Sequence, residues 1–301
     1  MSQKHLDRIS LILSMVIFGS IALFVQYTPL PSAEIALMRA LMALVVIGAV
    51  LLLTRRNPLR GTSRRDLLLL LLSGAAMGFN WILLFEAYRY TTVTVATLAY
   101  YFAPVLVTAL CPLLFRERMG KKQLLCFIAS TLGVVLIVSA SGFEGGAQLS
   151  GVLLALGAAV LYATVVLLNK GIRGVTGIPR TFLQFLAAAI VLLPYVLLTG
   201  GLHLNTLSGS GWGHLIILGL VHSGLAYCLY FSALRRTPGQ EAAVLSYIDP
   251  LFAVLLSVTV LRQPIGPLQI IGGVLILGFS VLNELELKPH PPKGEKPAQA
   301  E

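Results

Sequence analysis

Phe85–Pro104 reads FEAYRYTTVTVATLAYYFAP, and Phe231–Pro250 reads FSALRRTPGQEAAVLSYIDP. At a constant offset of 146 residues and without a gap, Phe85/Phe231, Ala87/Ala233, Arg89/Arg235, Thr91/Thr237, Ala96/Ala242, Tyr101/Tyr247 and Pro104/Pro250 coincide. The same offset carries Gly120 onto Gly266 and Gln123 onto Gln269. Apolar composition alone would match alanines, whereas shared Arg, Thr, Tyr and Pro at fixed spacing mark an internal repeat. Each copy holds the end of one apolar run, a short polar turn and most of the next run.

Outward from the repeat, the chain stays apolar. Hydrophobic residues make up 57% and charged residues 11%, with a mean hydropathy of +0.87. A soluble domain needs a more charged surface, so the chain is an integral membrane protein whose first partner is the lipid bilayer. Ten apolar runs follow, at about 9–26, 33–53, 67–88, 93–115, 123–140, 149–168, 181–198, 214–234, 241–261 and 267–283. Each is close to the roughly 20 residues that a bilayer core requires. Met1–Arg8 leads into a run long enough to span, with no small-residue cleavage pattern after it, so no cleavable signal is expected. The Pro-rich charged stretch 287–301 reads as a disordered cytoplasmic tail.

The formal charge of +10 would suggest nucleic acid in a soluble chain; here the basic residues lie in short loops, where they set orientation, and no nucleic acid is expected. With the N-terminus inside, all 22 lysines and arginines except Arg39, Arg89 and Arg262 fall on the cytoplasmic side. That partition predicts both termini in the cytoplasm of a multi-pass inner (plasma) membrane protein. The two repeats, 1–143 and 144–286, hold five spans each. Five is odd, so the second half enters from the opposite face, and the expected fold is all-α, with ten transmembrane helices in two inverted five-helix repeats. A site between such halves can open to either side in turn, which points to a transporter.

The ALMRALMAL run around Arg39, the run YYFAPVLVTALCPLLFRERMGKKQLLCFIASTLGVVLIV and its echo YIDPLFAVLLSVTVLRQPIGPLQIIGGVLILG resemble the EamA branch of the drug/metabolite transporter superfamily. The resemblance covers almost all of residues 9–283. It implies a ten-helix secondary carrier without ATP, often an exporter of amino acids or related metabolites. By position, Arg39 matches the family's second-span arginine, Glu117 the glutamate ending the fourth span, and Asp249-Pro250 an acid-Pro pair in the ninth. Phe18 departs from a common Trp, and Gln263 replaces the second-half counterpart of Glu117. The acid that four-helix relatives carry in span one for proton-coupled cation export is missing, so that mechanism does not transfer.

Charges inside spans cost roughly 2.5 to 3.5 kcal/mol at a helix centre and usually face a partner or water. Arg39 and Glu86 match in depth within about one turn, which suggests an ion pair and an outer gate or strut; otherwise each snorkels to the interface alone. Asp249 falls near mid-membrane beside Pro250, and its repeat mate is Ala103 beside Pro104. Pro104 and Pro250 are therefore expected bending points, with Asp249 either exposed to the cavity and able to bind an amine or a proton, or protonated against a backbone carbonyl. His222 lies at similar depth and could share that proton, or simply pack. Asn80, Trp81, Tyr101, Tyr227 and Tyr247 are deep enough to line a cavity with Asp249. Gly74, Gly78, Gly219 and Gly224 read as helix-packing positions.

The substrate expected from one anion and one outer cation is a small zwitterion, with protons as a candidate coupling ion. The alternatives are export of a cationic drug-like compound, a passive channel, and an intramembrane enzyme using Asp249 and His222. No Walker loop, HExxH or GxSxG motif is present, and Cys111, Cys126 and Cys228 show no metal-ligand spacing, so no cofactor and no metal are expected.

Overall fold

The computed structural model describes residues 3–115, 120–143 and 146–285. Among them are ten helices long and apolar enough to cross a membrane: His5–Gln26, Ser32–Leu53, Arg64–Tyr90, Val93–Cys111, Lys121–Ser141, Gly146–Gly171, Gly177–Thr199, Gly209–Leu234, Glu241–Thr259 and Pro267–Glu284. They are called spans one to ten below. Glu117 and the expected tail lie outside the described residues.

Helix starts are set by side chains that satisfy the first backbone donors. Ser63 and Asp66 form a reciprocal cap at span three, and the Asp66 carboxylate also accepts from the Arg173 amide at 3.2 Å. The repeat pair Gly/Gln has the same use in both halves. Gln123 Oε1 accepts from the Gly120 amide at 2.8 Å at the head of span five, and Gln269 Oε1 accepts from the Gly266 amide at 2.9 Å at the head of span ten. Leucines such as Leu52, Leu53 and Leu198 are exposed, as lipid-facing side chains should be, while the interior is rich in Ala36, Ala40, Ala43, Ala87, Ala96 and Ala158. Small residues let helices approach where no hydrophobic contrast drives them together. Gly74 and Gly78 pack against Ala187 and Leu192 of span seven, and Gly219 and Gly224 against Met42 and Val46 of span two.

The packing follows the inverted repeat. Span two packs on span seven, four on nine and five on ten, each pair joining a helix to its own repeat mate. Contacts of span two with eight and of span three with seven are likewise mates of one another.

Spans four and nine are broken at equivalent positions. Span four consists of helices Val93–Tyr100 and Ala103–Phe115, and span nine of Gly239–Ser246 and Ile248–Thr259. A proline ring clashes with the carbonyl four residues before it. For Pro104 and Pro250 those carbonyls belong to Tyr100 and Ser246, the last helical residues before each break. The break thus precedes each proline by three residues, and the proline sits in the first turn of the second half-helix, where its missing N–H costs little. Two irregularities were not legible in the sequence. Span one breaks at Ser20, and span eight is π-helical over Ile217–Leu225.

Candidate functional site

The break in span nine aims Asp249 from the first turn of a helix whose N-terminus carries partial positive charge, a favourable place for a carboxylate. The break in span four turns Tyr101 to meet it, and the Tyr101 hydroxyl donates to Asp249 Oδ2 at 2.6 Å. Both side chains are half-buried. Span one touches the same point. A Cβ on Gly19 would lie 2.5 Å from the Asp249 carbonyl oxygen, so only glycine permits the approach. Tyr247, buried at the other break, faces the Tyr101 ring at 6.3 Å, and Tyr100 faces Tyr162 at 5.6 Å. Tyr162 keeps 41% of its surface exposed although it stands mid-way along span six among Tyr100, Tyr227, Tyr230 and Asp249.

Arg39 is 2% exposed in span two. Its Nε donates to Ser223 Oγ, and its guanidinium lies 4.7 Å from the Trp81 ring centre and 5.6 Å from that of Phe85. The expected pair with Glu86 does not form. Glu86 accepts from Ser32 Oγ at 2.6 Å and pairs with Arg89 of its own helix at 3.6 Å. Orientation around the helix decides. Trp81 and Phe85, four residues apart, put one face of span three toward Arg39, and Glu86 follows Phe85 by one residue, roughly 100° around the helix.

Of the two readings of His222, the structure shows no bond to Asp249 and a packed ring. Nδ1–H of His222 donates to the Ile217 carbonyl at 3.1 Å, and Nε2 meets Ser20 Oγ at 2.9 Å. The reason is the π segment, in which His222 and Ser223 each bond a carbonyl five residues back, turning His222 toward span one and Ser223 toward Arg39. A 3.6-residue reading of span eight cannot anticipate that turn.

Of the remaining expected residues, Trp81 and Tyr227 stand on either side of Phe185, at 5.1 and 5.2 Å between ring centres. Asn80 is buried and donates to the Ala158 carbonyl at 2.6 Å, joining span three to span six. Tyr88 and Tyr227 each lie within electrostatic range of both Arg39 and Asp249. Sequence reasoning missed Ser223, Phe85, Phe185 and Tyr162 as neighbours of these charges. Phe85 alone carried a signal, as an identity of the repeat.

The two membrane faces differ. On the face opposite the start of span one, three contacts close the bundle: fully buried Glu34 accepts from the His203 amide at 2.9 Å, Ser32 donates to Glu86, and Arg89 donates to the Leu30 carbonyl. Gln263 Oε1 adds a bond from the Val93 amide at 2.8 Å. On the face where span one starts, a cavity of about 970 Å³ opens between the ends of spans two and eight and the start of span seven. Its inner end at Ile178 and Phe231 adjoins Tyr227 and Cys228. The offset of 146 pairs the six closing residues Glu34/His203, Ser32/Glu86 and Leu30/Arg89 with Arg180/Asn57, Ile178/Ser232 and Thr176/Arg235. All six mates line the open cavity. One face is therefore shut at the positions where the other is open.

The EamA-like transporter family profile matches residues 8–139 and 149–283. An uncharacterized transporter of Bacillus subtilis (strain 168), YxxF, is 33% identical over 285 residues, covering 91% of this chain and 90% of that protein. Protein PecM of Dickeya dadantii (strain 3937) is 32% identical, over 85% and 84% of the two chains. A solved crystal structure superposes with a TM-score of 0.63 at 19% identity, covering 92% of this chain and 96% of that one, a likeness of fold.

Proposed function

Because this chain belongs to the EamA-like transporter family, we propose that it carries a small zwitterion, such as an amino acid or a related metabolite, by alternating access. The observation that carries this reading is a pair of opposite charges, each within electrostatic range of Tyr88 and Tyr227. Among the described residues, Asp249 holds Tyr101 as its hydrogen-bond partner and Arg39 holds Ser223 and two rings, and neither has an ion-pair partner. A substrate carboxylate suits the guanidinium, and an ammonium group suits Asp249, with Trp81, Tyr101, Tyr227 and Tyr247 around the apolar part. Buried charges without partners are costly, and a ligand that supplies both counter-charges relieves both at once.

Asp249 also offers a place for the coupling proton, since it meets the substrate at the break of span nine. Positive charge on the face that holds the open cavity supports placing that face, and both termini, in the cytoplasm of the inner membrane, with transport outward. His222 has its ring nitrogens committed to Ser20 and Ile217, which leaves it a packing and hinge role within the π segment. Lipophilic cations are the second reading, favoured by the tyrosines around Asp249 and opposed by Arg39.

The test is uptake of labelled amino acids into proteoliposomes, with and without a pH gradient, for the wild type and Asp249→Asn. Saturable, counterflow-competent uptake that loses its pH dependence in the variant is the expected result. Normal pH-dependent transport by the variant removes Asp249 from coupling, and failure of every amino acid turns the substrate to cations.

A further inference from the structure

The cavity on the face where span one starts is lined by Arg55, Arg56, Arg60, Arg180, Arg235 and Arg236, and by no described Asp or Glu. Basic residues at this face are expected from orientation alone, but orientation asks only that they lie in loops. Here three separate segments, after span two, before span seven and after span eight, turn them onto one concave surface. Of these six arginines, Arg236 alone has an ion-pair partner among the described residues, Asp7, at 2.8 Å. Arg180 Nε is buried with no hydrogen-bond partner, and Arg180 stands at the head of span seven.

The repeat sharpens the point. Arg180 is the mate of Glu34, whose carboxylate closes the opposite face by accepting from His203. On the open face the acid has become a base, and Asn57, the mate of His203, is flanked by Arg55, Arg56 and Arg60. Bringing these segments together as their mates are brought together would set Arg180 against Asn57 and Arg235 against Thr176, drawing the guanidinium groups of three segments closer with no described carboxylate in the lining. A like-charge approach of this kind is opposed unless an anion enters.

We propose that this cavity binds a phosphate-bearing anion that supplies the negative charge its lining lacks and allows it to close. Several guanidinium forks can share the oxygens of one phosphate through paired N–H···O bonds, which a set of lysines would do less well. The cavity volume suits a phosphorylated small molecule or the headgroup of an acidic lipid, and both present the same chemistry. The binding step stands without the transport reading; the closure step rests on it.

The experiment is calorimetric titration of the purified full chain in neutral maltoside micelles with inorganic phosphate, pyrophosphate and short-chain phosphatidylglycerol, with phosphatidylcholine as the zwitterionic control. Saturable binding of at least one anionic probe, weakened by about tenfold or more in Arg180→Gln, is expected. Binding of phosphatidylglycerol alone assigns the site to lipid, and binding of pyrophosphate or phosphate assigns it to a soluble anion. Should Arg180→Gln not fold, the exposed pair Arg56→Gln and Arg235→Gln gives the same comparison. No saturation by any anionic probe, or affinities unchanged in both variants, overturns the site. Closure is read from Ser232→Cys, an exposed position that lines the cavity, in a Cys111→Ala, Cys126→Ala, Cys228→Ala background. The bound anion should slow its reaction with an impermeant maleimide severalfold; binding with unchanged labelling refutes closure and leaves the site standing.

Discussion

Replacing Gly19 by alanine tests the contact that fixes Asp249. The added Cβ would stand 2.5 Å from the Asp249 carbonyl oxygen, 3.0 Å from Phe252 Cβ and 3.3 Å from the Ala253 nitrogen, where ordinary contact begins at 3.4 Å. Two of the three neighbours are backbone atoms and cannot rotate away, so span one must retreat from span nine by roughly 0.9 Å at its tightest point. Overpacking of this kind costs about 1–3 kcal/mol. Alanine is also the better helix former, which offsets about 1 kcal/mol at most. A matched control lies in span ten, where a Cβ on Gly278 meets nothing within 4 Å. Gly278→Ala should be neutral or slightly stabilising in a reversible unfolding assay in micelles. Gly19→Ala should be less stable than that control by about 1–3 kcal/mol, and its transport should fall further than its stability, because the displaced carbonyl belongs to the first turn that aims Asp249. Equal stability and equal transport of the two variants would refute the close packing of spans one and nine.

Two further predictions follow from the breaks and from the buried cation. Pro104→Ala and Pro250→Ala remove the clash with Tyr100 and Ser246 and should let spans four and nine become continuous, so amide exchange at Phe102 and Tyr247, each bonded only three residues back in the breaks, slows while transport falls; unchanged exchange assigns the breaks to packing instead of proline. Ser223→Ala removes the polar partner of a buried guanidinium and should destabilise the protein by about 1–3 kcal/mol, whereas Ser257→Ala, which also loses a bond to the neutral Gln263, should cost less; the reverse order in the same unfolding assay contradicts the account of Arg39.

The ten spans were legible because apolar length is a strong signal and the bilayer admits few alternatives. The breaks at Tyr101 and Tyr247 were legible through Pro104 and Pro250, since a proline acts on its own helix at a known distance. Side-chain partners were not. Arg39 and Glu86 agree in depth, but depth says nothing of azimuth, and Phe85 and Glu86 differ by one residue and face different neighbours. His222 was lost for a deeper reason. The π segment Ile217–Leu225 adds a residue to one turn, and no residue in ILGLVHSGL demands it; packing of Gly219 and Gly224 against Met42 and Val46 is a property of two helices together.

What repeats and what does not repeat divide the work between them. The elements shared by the halves are conformational: the prolines, the break tyrosines, the Gly/Gln caps, and the arginines Arg89 and Arg235. They give each half the same joints, so that the halves can exchange roles at the two faces. The charges that a ligand would meet are unpaired by the repeat: Asp249 has Ala103 as its mate, and Arg39 has Phe185. An inverted pair with identical charges would place two acids or two bases on the pseudo-twofold and repel a zwitterion at one end. A single acid from one half and a single base from the other give the site a direction, while the joints around it remain symmetric. The same logic applies at the faces, where Glu34 is one of the contacts that close one side and its mate Arg180 lines a cavity that holds no described acid. On the proposed alternating-access reading, symmetric joints with asymmetric charges let one fold open both ways and still treat its two openings differently.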